Sequence, residues 1–279
     1  MGDFNTESVS FIFIPMHTWH WRTWNHLPYL VCDLLTPWVH GFFTQQFWGR
    51  SPQELTPVLH PAATTHRVKQ VHGNTVLSAS TAVTPPNWGD VPLPEADGLV
   101  SDAGQQALWV CSADCTPVLI GDVTTGQVAA IHAGWRGTAR KIVPQAIAQM
   151  QAQGSRLEDL RIALGPAIAG EVYQVSTRVA AEVTATVLSL GPAPTQTLQT
   201  QDLLTAVQPL PRPPLLPDPD PGRLRLDVRC VNVLQLEQLG IDSTQVAIAP
   251  HCTYQNPDHF FSYRRTQEKK VQWSGIVSH

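Results

Sequence analysis

The chain has 279 residues, of which 43% are hydrophobic and 14% charged, with a net charge of -4 at pH 7. This size and composition allow a substantial buried core within one large domain. The acidic balance and the lack of a long Lys/Arg block exclude a non-specific nucleic-acid partner and an anionic membrane surface. Five cysteines without a Cys-x-x-Cys pair are unlike a secreted disulfide framework, so we expect a cytoplasmic protein with reduced thiols.

Residues 1–29 are predicted to form a Trp/His-rich extension ahead of a catalytic domain at residues 30–279. The apolar run at 9–14 follows acidic residues and ends at Pro15, which is unlike a signal peptide and too short for a membrane span. Residues 16–26 contain three Trp and three His, and a second metal site there is conceivable. Because no thiolate or carboxylate cluster accompanies them, we expect indole rings on the domain surface and solvated histidines.

Three polar side chains follow or interrupt runs with strand character. His72 belongs to a predicted strand at residues 65–76. Apolar runs at 107–111 and 128–131 lead into Ser-Ala-Asp-Cys-Thr-Pro, which contains Cys115, and into His-Ala-Gly-Trp-Arg-Gly, which begins with His132. A third run, at residues 118–122, lies between them and turns back through Thr124, Thr125 and Gly126. This hairpin pattern predicts that Cys115 and His132 lie side by side.

Two imidazoles and one thiolate suit zinc, and three protein ligands leave the fourth position for water or substrate. The spacing of residues 72, 115 and 132 matches no local zinc-finger pattern. From the residues alone, three unrelated buried side chains are therefore favoured over a metal site. A further interpretation makes Cys115 a nucleophile with His132 as its base, as in a thiol hydrolase.

The remaining pattern predicts alternating helices and strands around a proline-rich segment. Residues 191–222 contain nine of the 24 prolines and are predicted to be a surface insertion or linker. Helices are predicted at 50–59, 139–153, 176–190 and 225–241, and strands at 160–164 and 246–249.

The blocks Gln70-Val71-His72-Gly73, Ala113 to Pro117 and His132 to Thr138 resemble signatures of the laccase-domain family. Its members are described as multicopper polyphenol oxidases or as zinc-dependent purine nucleoside phosphorylases. Leu164 to Ile168, Cys252-Thr253 and Phe260 to Arg265 resemble the remaining blocks in the expected order, over about residues 30 to 275. The resemblance implies a single-domain α/β layered sandwich of mixed sheets flanked by helices, with His72, Cys115 and His132 as zinc ligands and catalytic residues.

Other residues receive roles from the same resemblance. Arg50 is matched to a family arginine as a substrate contact, whereas Gln45 stands where the family's first arginine is expected. Arg136 lies near a helix start with free N–H groups and is a candidate for binding phosphate. Arg264 lies among aromatic side chains and is a candidate for contacting the nucleoside.

Two carboxylates are candidates for orienting the ligands. Histidine ligands of metals usually donate their second ring proton to a carboxylate or a carbonyl, and Asp97 and Asp114 are placed to accept it. The structural alternative is that each carboxylate caps a turn, and the sequence does not separate the two.

The resemblance implies phosphorolysis of adenosine, inosine, guanosine and methylthioadenosine, together with adenosine deaminase activity. The partners are then a purine nucleoside and phosphate, and the oligomeric state stays open. A copper polyphenol oxidase is the alternative, but the paired His-x-His motifs expected of several copper sites are absent. A non-enzymatic partner-binding module would leave the polar blocks unexplained.

Overall fold

The computed structural model describes residues 18–82, 92–188 and 199–279. In these residues fifteen strands follow the apolar runs of the sequence. They are β1 (Trp19–Trp24), β2 (Leu27–Cys32), β3 (His40–Phe43), β4 (Thr64–Arg67), β5 (Val76–Ser78), β6 (Gly98–Val100), β7 (Gln106–Ser112), β8 (Thr116–Asp122), β9 (Val128–Ala133), β10 (Leu160–Leu164), β11 (Gln174–Ser176), β12 (Leu215–Pro217), β13 (Arg223–Leu226), β14 (Val246–Ile248) and β15 (Gln272–Val277).

Seven helices accompany these strands in the described residues. They are α1 (Pro52–Leu59), α2 (Trp135–Ala139), α3 (Ile142–Ala152), α4 (Thr177–Thr184), α5 (Thr200–Val207), α6 (Val228–Gln238) and α7 (Tyr263–Thr266). Short 3-10 turns connect several of the elements. None of the helices in the described ranges is long and apolar enough to cross a membrane.

The strands form two six-stranded sheets and one three-stranded sheet. The first sheet has the order β1-β2-β3-β15-β7-β4, the second β14-β10-β8-β9-β6-β5 and the third β11-β13-β12. Both six-stranded sheets are mixed, because β4–β7, β5–β6 and β10–β14 are parallel pairs while the other pairs are antiparallel. The predicted layered α/β sandwich of mixed sheets is therefore confirmed.

Alternation along β7 shows how the layers are built. Leu108 and Val110 point into the core between the two large sheets, whereas Ala107 and Trp109 pack with α1 on the outer face. Both faces of the strand are buried, which explains why its sequence is a continuous apolar run instead of an alternating one. The second large sheet is covered in the same way on its outer face by α3 and α6.

The second sheet carries the site because β8 and β9 form its central hairpin. Their register places Pro117 opposite His132 and Thr116 opposite Ala133. Cys115, which immediately precedes β8, is therefore brought to the end of β9 where His132 lies. This confirms the predicted hairpin, which the run at 118–122 forms with the run at 128–131.

Four predicted elements are wrong in their extent. The strand expected at 65–76 is interrupted, since β4 ends at Arg67 and β5 begins at Val76. The helix expected at 139–153 is divided into α2 and α3 by Lys141, whose φ is 56°. The helix expected at 225–241 begins only after Asp227, which caps α6 through the N–H of Cys230. The helix expected at 176–190 ends at Thr184, although Ser176 caps it as its sequence suggests.

The described parts of the N-terminal extension and of the proline-rich segment both pack against the rest of the chain. The described part of the N-terminal extension forms β1, which pairs along its whole length with β2 of the first sheet. In the described part of the proline-rich segment, α5 and β12 bury Leu203, Val207 and Leu215 in a common core with residues of α4, β11 and β13. Residues 1–17 and 191–198 of these two segments lie outside the described residues.

Candidate metal centre

One group of potential metal ligands stands out in the described part of the chain. Ligand atoms of His72, Cys115 and His132 all lie within 4.8 Å of one another. The two imidazole rings meet edge to face, with centroids 4.8 Å apart. These are the three residues predicted from the sequence, and the fold brings them together.

Asp97 holds both histidines of the cluster. Its Oδ1 accepts a hydrogen bond from Nδ1 of His132 over 2.9 Å, and its backbone carbonyl accepts one from the N–H of His132. The Asp97 side chain is fully buried. With its Nδ1 proton given to this carboxylate, the His132 ring presents Nε2 to the Cys115 thiol, and a metal can take the place of the proton on that nitrogen.

The same carboxylate organises the loop of His72. The backbone N–H groups of Val71, His72 and Gly73 donate to the two Asp97 oxygens over 2.7 to 3.2 Å. His72 itself has a left-handed φ of 58°, an unfavourable conformation for a side chain larger than Gly. Three hydrogen bonds to one buried charge offset that cost. Asp97 therefore positions both histidines, one through its ring and the other through its backbone.

Gly134 provides the space in which the thiol sits. A Cβ at this position would lie 2.8 Å from Sγ of Cys115 and 3.4 Å from Cδ2 of His72. Gly137 allows a second close approach, since a Cβ there would lie 2.9 Å from the carbonyl oxygen of Gly73. The two glycines of the His-Ala-Gly-Trp-Arg-Gly block thus let α2 pack directly against the cluster.

Electrostatics favour a charged thiolate beside His132. Burial raises the pKa of the Cys115 thiol, but the His132 imidazolium and hydrogen bonds from both histidines outweigh burial and lower it. Burial correspondingly opposes protonation of His132, while the Cys115 charge and the Asp97 carboxylate raise its pKa. Burial opposes ionisation of Asp97 as well, yet the bonds from His132 and the loop backbone lower its pKa. The pocket therefore stabilises the deprotonated thiol, which is the form that binds metal.

The donor set fits a metal ion with tetrahedral geometry. Ligand atoms around zinc are roughly 3.5 Å apart, given zinc–nitrogen and zinc–sulfur distances of about 2.0 to 2.3 Å. The three atoms of the cluster all lie within 4.8 Å of one another, so small side-chain adjustments would bring them to that spacing. His72 is exposed, whereas His132 is buried, so the group is open to solvent on the side of His72. This arrangement leaves a position for a fourth ligand.

Asp114 does not orient a histidine. Its carboxylate instead accepts hydrogen bonds from Oγ1 of Thr253 and from the backbone N–H of Arg264, both over 2.7 Å. Asp114 has a φ of 95°, and its carbonyl accepts the N–H of Ile168. The residue next to Cys115 therefore anchors the C-terminal segment beside the cluster.

Arg264 and Tyr173 contact each other near the Cys115 thiol. The Arg264 guanidinium lies 4.7 Å from the Tyr173 ring centroid and donates to the carbonyl of Gln174. Burial raises the pKa of Tyr173 to about 12, and the Cys115 charge contributes in the same direction. The phenol is therefore neutral over the physiological range. Sequence reasoning missed Tyr173, because nothing in its local sequence distinguishes it from a core aromatic residue.

The other two predicted arginines have different surroundings. Arg136 is exposed on α2, with its guanidinium 4.4 Å from the centroid of the neighbouring Trp135 ring. Arg50 lies over the rings of Trp24 and Phe47, just before the Ser51 cap of α1. Arg136 thus lies on the helix that packs against the cluster, whereas Arg50 lies against Trp24 of β1 and Phe47 of the turn that follows β3.

A family model described as multi-copper polyphenol oxidoreductase laccase matches residues 53–277. The chain belongs to this family. A purine nucleoside phosphorylase of Synechocystis sp. is 53% identical to it over 261 residues, covering 94% of this chain and 97% of that protein. A purine nucleoside phosphorylase of Streptomyces coelicolor is 34% identical over 198 residues, covering 71% and 68%.

Two solved structures have the same fold. The crystal structure of YlmD from Geobacillus stearothermophilus superposes with a TM-score of 0.73 over 93% of this chain and 98% of that chain, at 24% identity. The structure of the hypothetical protein YfiH from Bacillus licheniformis gives a TM-score of 0.71 over 93% and 99%, also at 24% identity. The names of the sequence relatives support an enzymatic role, and these structures support the fold.

Proposed function

We propose that this protein is a zinc-dependent purine nucleoside phosphorylase with adenosine deaminase activity. The observation that carries the proposal is the convergence of His72, Cys115 and His132 within 4.8 Å, with His132 oriented by Asp97. The names of the relatives supply the substrate class, a purine nucleoside with phosphate.

The three residues have distinct tasks in holding the ion. Cys115 offers the negative thiolate, His132 offers Nε2 because its Nδ1 proton is committed to Asp97, and His72 approaches from the exposed side. Zinc held there would act as a Lewis acid towards a substrate atom or a water molecule. The exposed side at His72 is where a nucleoside is expected to enter.

Positive charge around the cluster suits an anionic co-substrate. Arg136 on α2 and Arg264 beside Asp114 are proposed to contact phosphate and nucleoside, respectively. In phosphorolysis, a phosphate oxygen forms a bond to the ribose carbon, and the bond from that carbon to the purine breaks. In deamination, water replaces the amino group of adenosine and ammonia leaves.

The described residues argue against multicopper oxidation. They contain one group of at least three His, Cys, Asp or Glu side chains with metal-ligand spacing, whereas an oxidase with several coppers needs more than one such group. A metal-free thiol hydrolase is the second candidate, because the Cys115 thiol lies beside two imidazoles.

Product chromatography tests the proposal directly. Purified protein loaded with zinc is incubated with adenosine or inosine, with and without phosphate, beside the variants Cys115→Ser and Cys230→Ser. Cys230 is a matched control because its thiol bonds the carbonyl of Arg212, away from the cluster. We expect free base and ribose phosphate only with phosphate, and inosine from adenosine, in the wild type and in Cys230→Ser but not in Cys115→Ser.

Other outcomes separate the alternatives. No turnover of any purine nucleoside by zinc-loaded protein would overturn the proposal. Turnover that survives complete chelation and still needs Cys115 would favour the metal-free thiol enzyme. Oxidation of a phenol by copper-loaded protein, without nucleoside turnover, would favour the polyphenol oxidase.

A further inference from the structure

Gln70 connects the loop of His72 to the strand that leads to Cys115. Its side-chain Nε2 donates to the carbonyl oxygen of Cys111, and its Oε1 accepts from the N–H of Cys111, both over 2.8 Å. Gln70 lies two residues before His72, and Cys111 lies four residues before Cys115. One side-chain amide therefore spans the two segments that supply these ligands.

The geometry of the neighbouring strands explains why an amide is needed there. β4 pairs with β7 only as far as Arg67, which lies opposite Trp109. Cys111 is two residues further along β7, where β4 has already left the sheet. The primary amide of Gln70 takes the place of a strand peptide, because it offers one acceptor and one donor to the two backbone groups of Cys111. Left without partners, buried backbone groups are costly.

The loop is thus held from two directions. Asp97 binds the N–H groups of Val71, His72 and Gly73 and also the ring of His132. Gln70 binds the end of β7. Through these hydrogen bonds, Asp97 connects the loop of His72 to His132, and Gln70 connects the same loop to the strand that leads to Cys115.

We propose that Gln70 is a positioning residue of the metal centre, whose amide fixes His72 at the distance from Cys115 at which both can bind one ion. This inference rests on the proposed function, since it concerns the same three ligands. Residues that orient metal ligands typically change metal affinity by about 10- to 100-fold when they are replaced. We expect an effect of that size from losing the amide of Gln70.

The variant Gln70→Glu isolates the amide. It has the same length and keeps an acceptor for the N–H of Cys111, but it places a carboxylate oxygen against the Cys111 carbonyl, where the amide donated. Gln70→Asn keeps donor and acceptor and shortens the reach by one methylene group, so it serves as a second variant if Gln70→Glu does not fold.

Gln245 provides a matched control. Its buried amide also bridges backbone groups, since Nε2 donates to the carbonyls of Leu157 and Leu160 and Oε1 accepts from the N–H of Asp242. It lies in a 3-10 turn before β14, outside the cluster. Gln245→Glu therefore imposes the same chemical change on a comparable bridge that holds no metal ligand.

The test combines zinc affinity, the absorption spectrum of the cobalt-substituted protein and the melting temperature of the metal-free protein. For Gln70→Glu we expect zinc affinity to fall by about 10- to 100-fold and the cobalt–thiolate bands to shift. For Gln245→Glu we expect a lower melting temperature with the affinity and the spectrum of the wild type. Affinity and spectrum unchanged in folded Gln70→Glu would overturn the proposal, whatever its melting temperature.

Failure of the proposed function gives a different pattern. If the wild type binds neither zinc nor cobalt, the metal-dependent function is overturned, and the role of Gln70 is then decided by crystal structures of the metal-free proteins. A shift of residues 70–73 away from Cys115 by about 1 Å or more in Gln70→Glu would support positioning, because errors of that size at a reactive centre are costly. An unchanged loop would overturn it.

Discussion

Two buried histidines, one in each large sheet, differ in the partners of their ring nitrogens. His132 in β9 is 3% exposed and His40 in β3 is 6% exposed. His132 bonds the Asp97 carboxylate through Nδ1 and faces the Cys115 thiol. His40 donates from Nδ1 to the carbonyl of Trp38 and accepts the N–H of Cys32 at Nε2.

The consequence is a difference in available chemistry. Both nitrogens of His40 are occupied by neutral backbone groups, and burial lowers its pKa, so the ring is a neutral structural bridge. Nε2 of His132 faces the Cys115 thiol instead of a backbone group, so a metal can bind it, and the charges of Cys115 and Asp97 raise the pKa of the ring despite burial. Burial alone therefore does not identify a functional histidine. The charge and hydrogen-bonding partners of its two nitrogens do.

Removing the Asp97 carboxylate should have the largest effect on both folding stability and zinc binding. Asp97→Ala leaves the His132 ring and three backbone N–H groups without their acceptor, so we expect the free energy of unfolding to fall by about 3–5 kcal/mol. Zinc binding should be lost as well. Urea unfolding in chelator and zinc titration measure the two effects.

Asp122 is the control for this variant. Its buried carboxylate also accepts backbone N–H groups, those of Thr124 and Thr125, but it lies at the far end of β8. Asp122→Ala should be destabilised and yet bind zinc like the wild type. Equal loss of zinc binding in both variants would contradict a specific role for Asp97.

Filling the space beside the thiol should have the next largest effect. In Gly134→Ala the added Cβ meets Sγ of Cys115 at 2.8 Å, so we expect a loss of about 1–3 kcal/mol in stability. Zinc affinity should fall because Cys115 and His72 must move apart. Isothermal titration calorimetry with zinc measures this change.

Gly154 offers a comparison without a steric clash. It has a φ of 105° and nothing within 4 Å of an added Cβ, so Gly154→Ala should cost about 1–2 kcal/mol through backbone strain alone. Its zinc affinity should equal that of the wild type. A normal affinity in Gly134→Ala would show that the cluster tolerates the extra methyl group.

His40 should make folding sensitive to acid. Its pKa is lower in the folded state than in the unfolded state, where it is about 6.5. As pH falls below that value, the unfolded chain takes up a proton that the folded chain does not, so stability decreases by at most about 1.4 kcal/mol per pH unit. The loss continues until pH reaches the folded pKa.

Urea unfolding between pH 7.5 and pH 5 checks this prediction. His40→Gln cannot titrate, so its stability, although lower at pH 7.5, should change less on acidification than that of the wild type. Identical pH slopes for the two proteins would remove His40 as the cause.

An exposed pair of the same chemistry should have the smallest effect. His20 and Asp33 are joined over 2.9 Å, as His132 and Asp97 are, but both side chains are about half exposed. We expect His20→Ala to lower stability by at most about 1 kcal/mol, because solvent screens the pair. Thermal denaturation measures it. A loss as large as that of Asp97→Ala would contradict burial as the reason for the difference.

The sequence predicted the centre of the fold well and its edges less well. The runs that became β7, β8 and β9 were identified because each is apolar on both faces, and β10 was identified although Arg161 interrupts its apolar run. The strand around His72 was wrong, since the loop is built on hydrogen bonds to Asp97, which is 25 residues away in the chain. The helix expected at 225–241 begins only at Val228, because residues 223–226 form β13, which pairs with β11 and β12, and no local pattern reports such pairing.

The residues of the sequence predicted the hairpin that brings Cys115 beside His132, and its resemblance to the family predicted His72, Cys115 and His132 as ligands together with the layered fold. Apolar runs and short motifs are local, and their chemistry can be read without coordinates. Only the tertiary structure decided that Asp97 serves both histidines while Asp114 holds the C-terminal segment, and that Gln70 completes the edge of β7. Those assignments depend on which distant groups meet in space, and a hydrogen bond between segments leaves no periodic trace in either one.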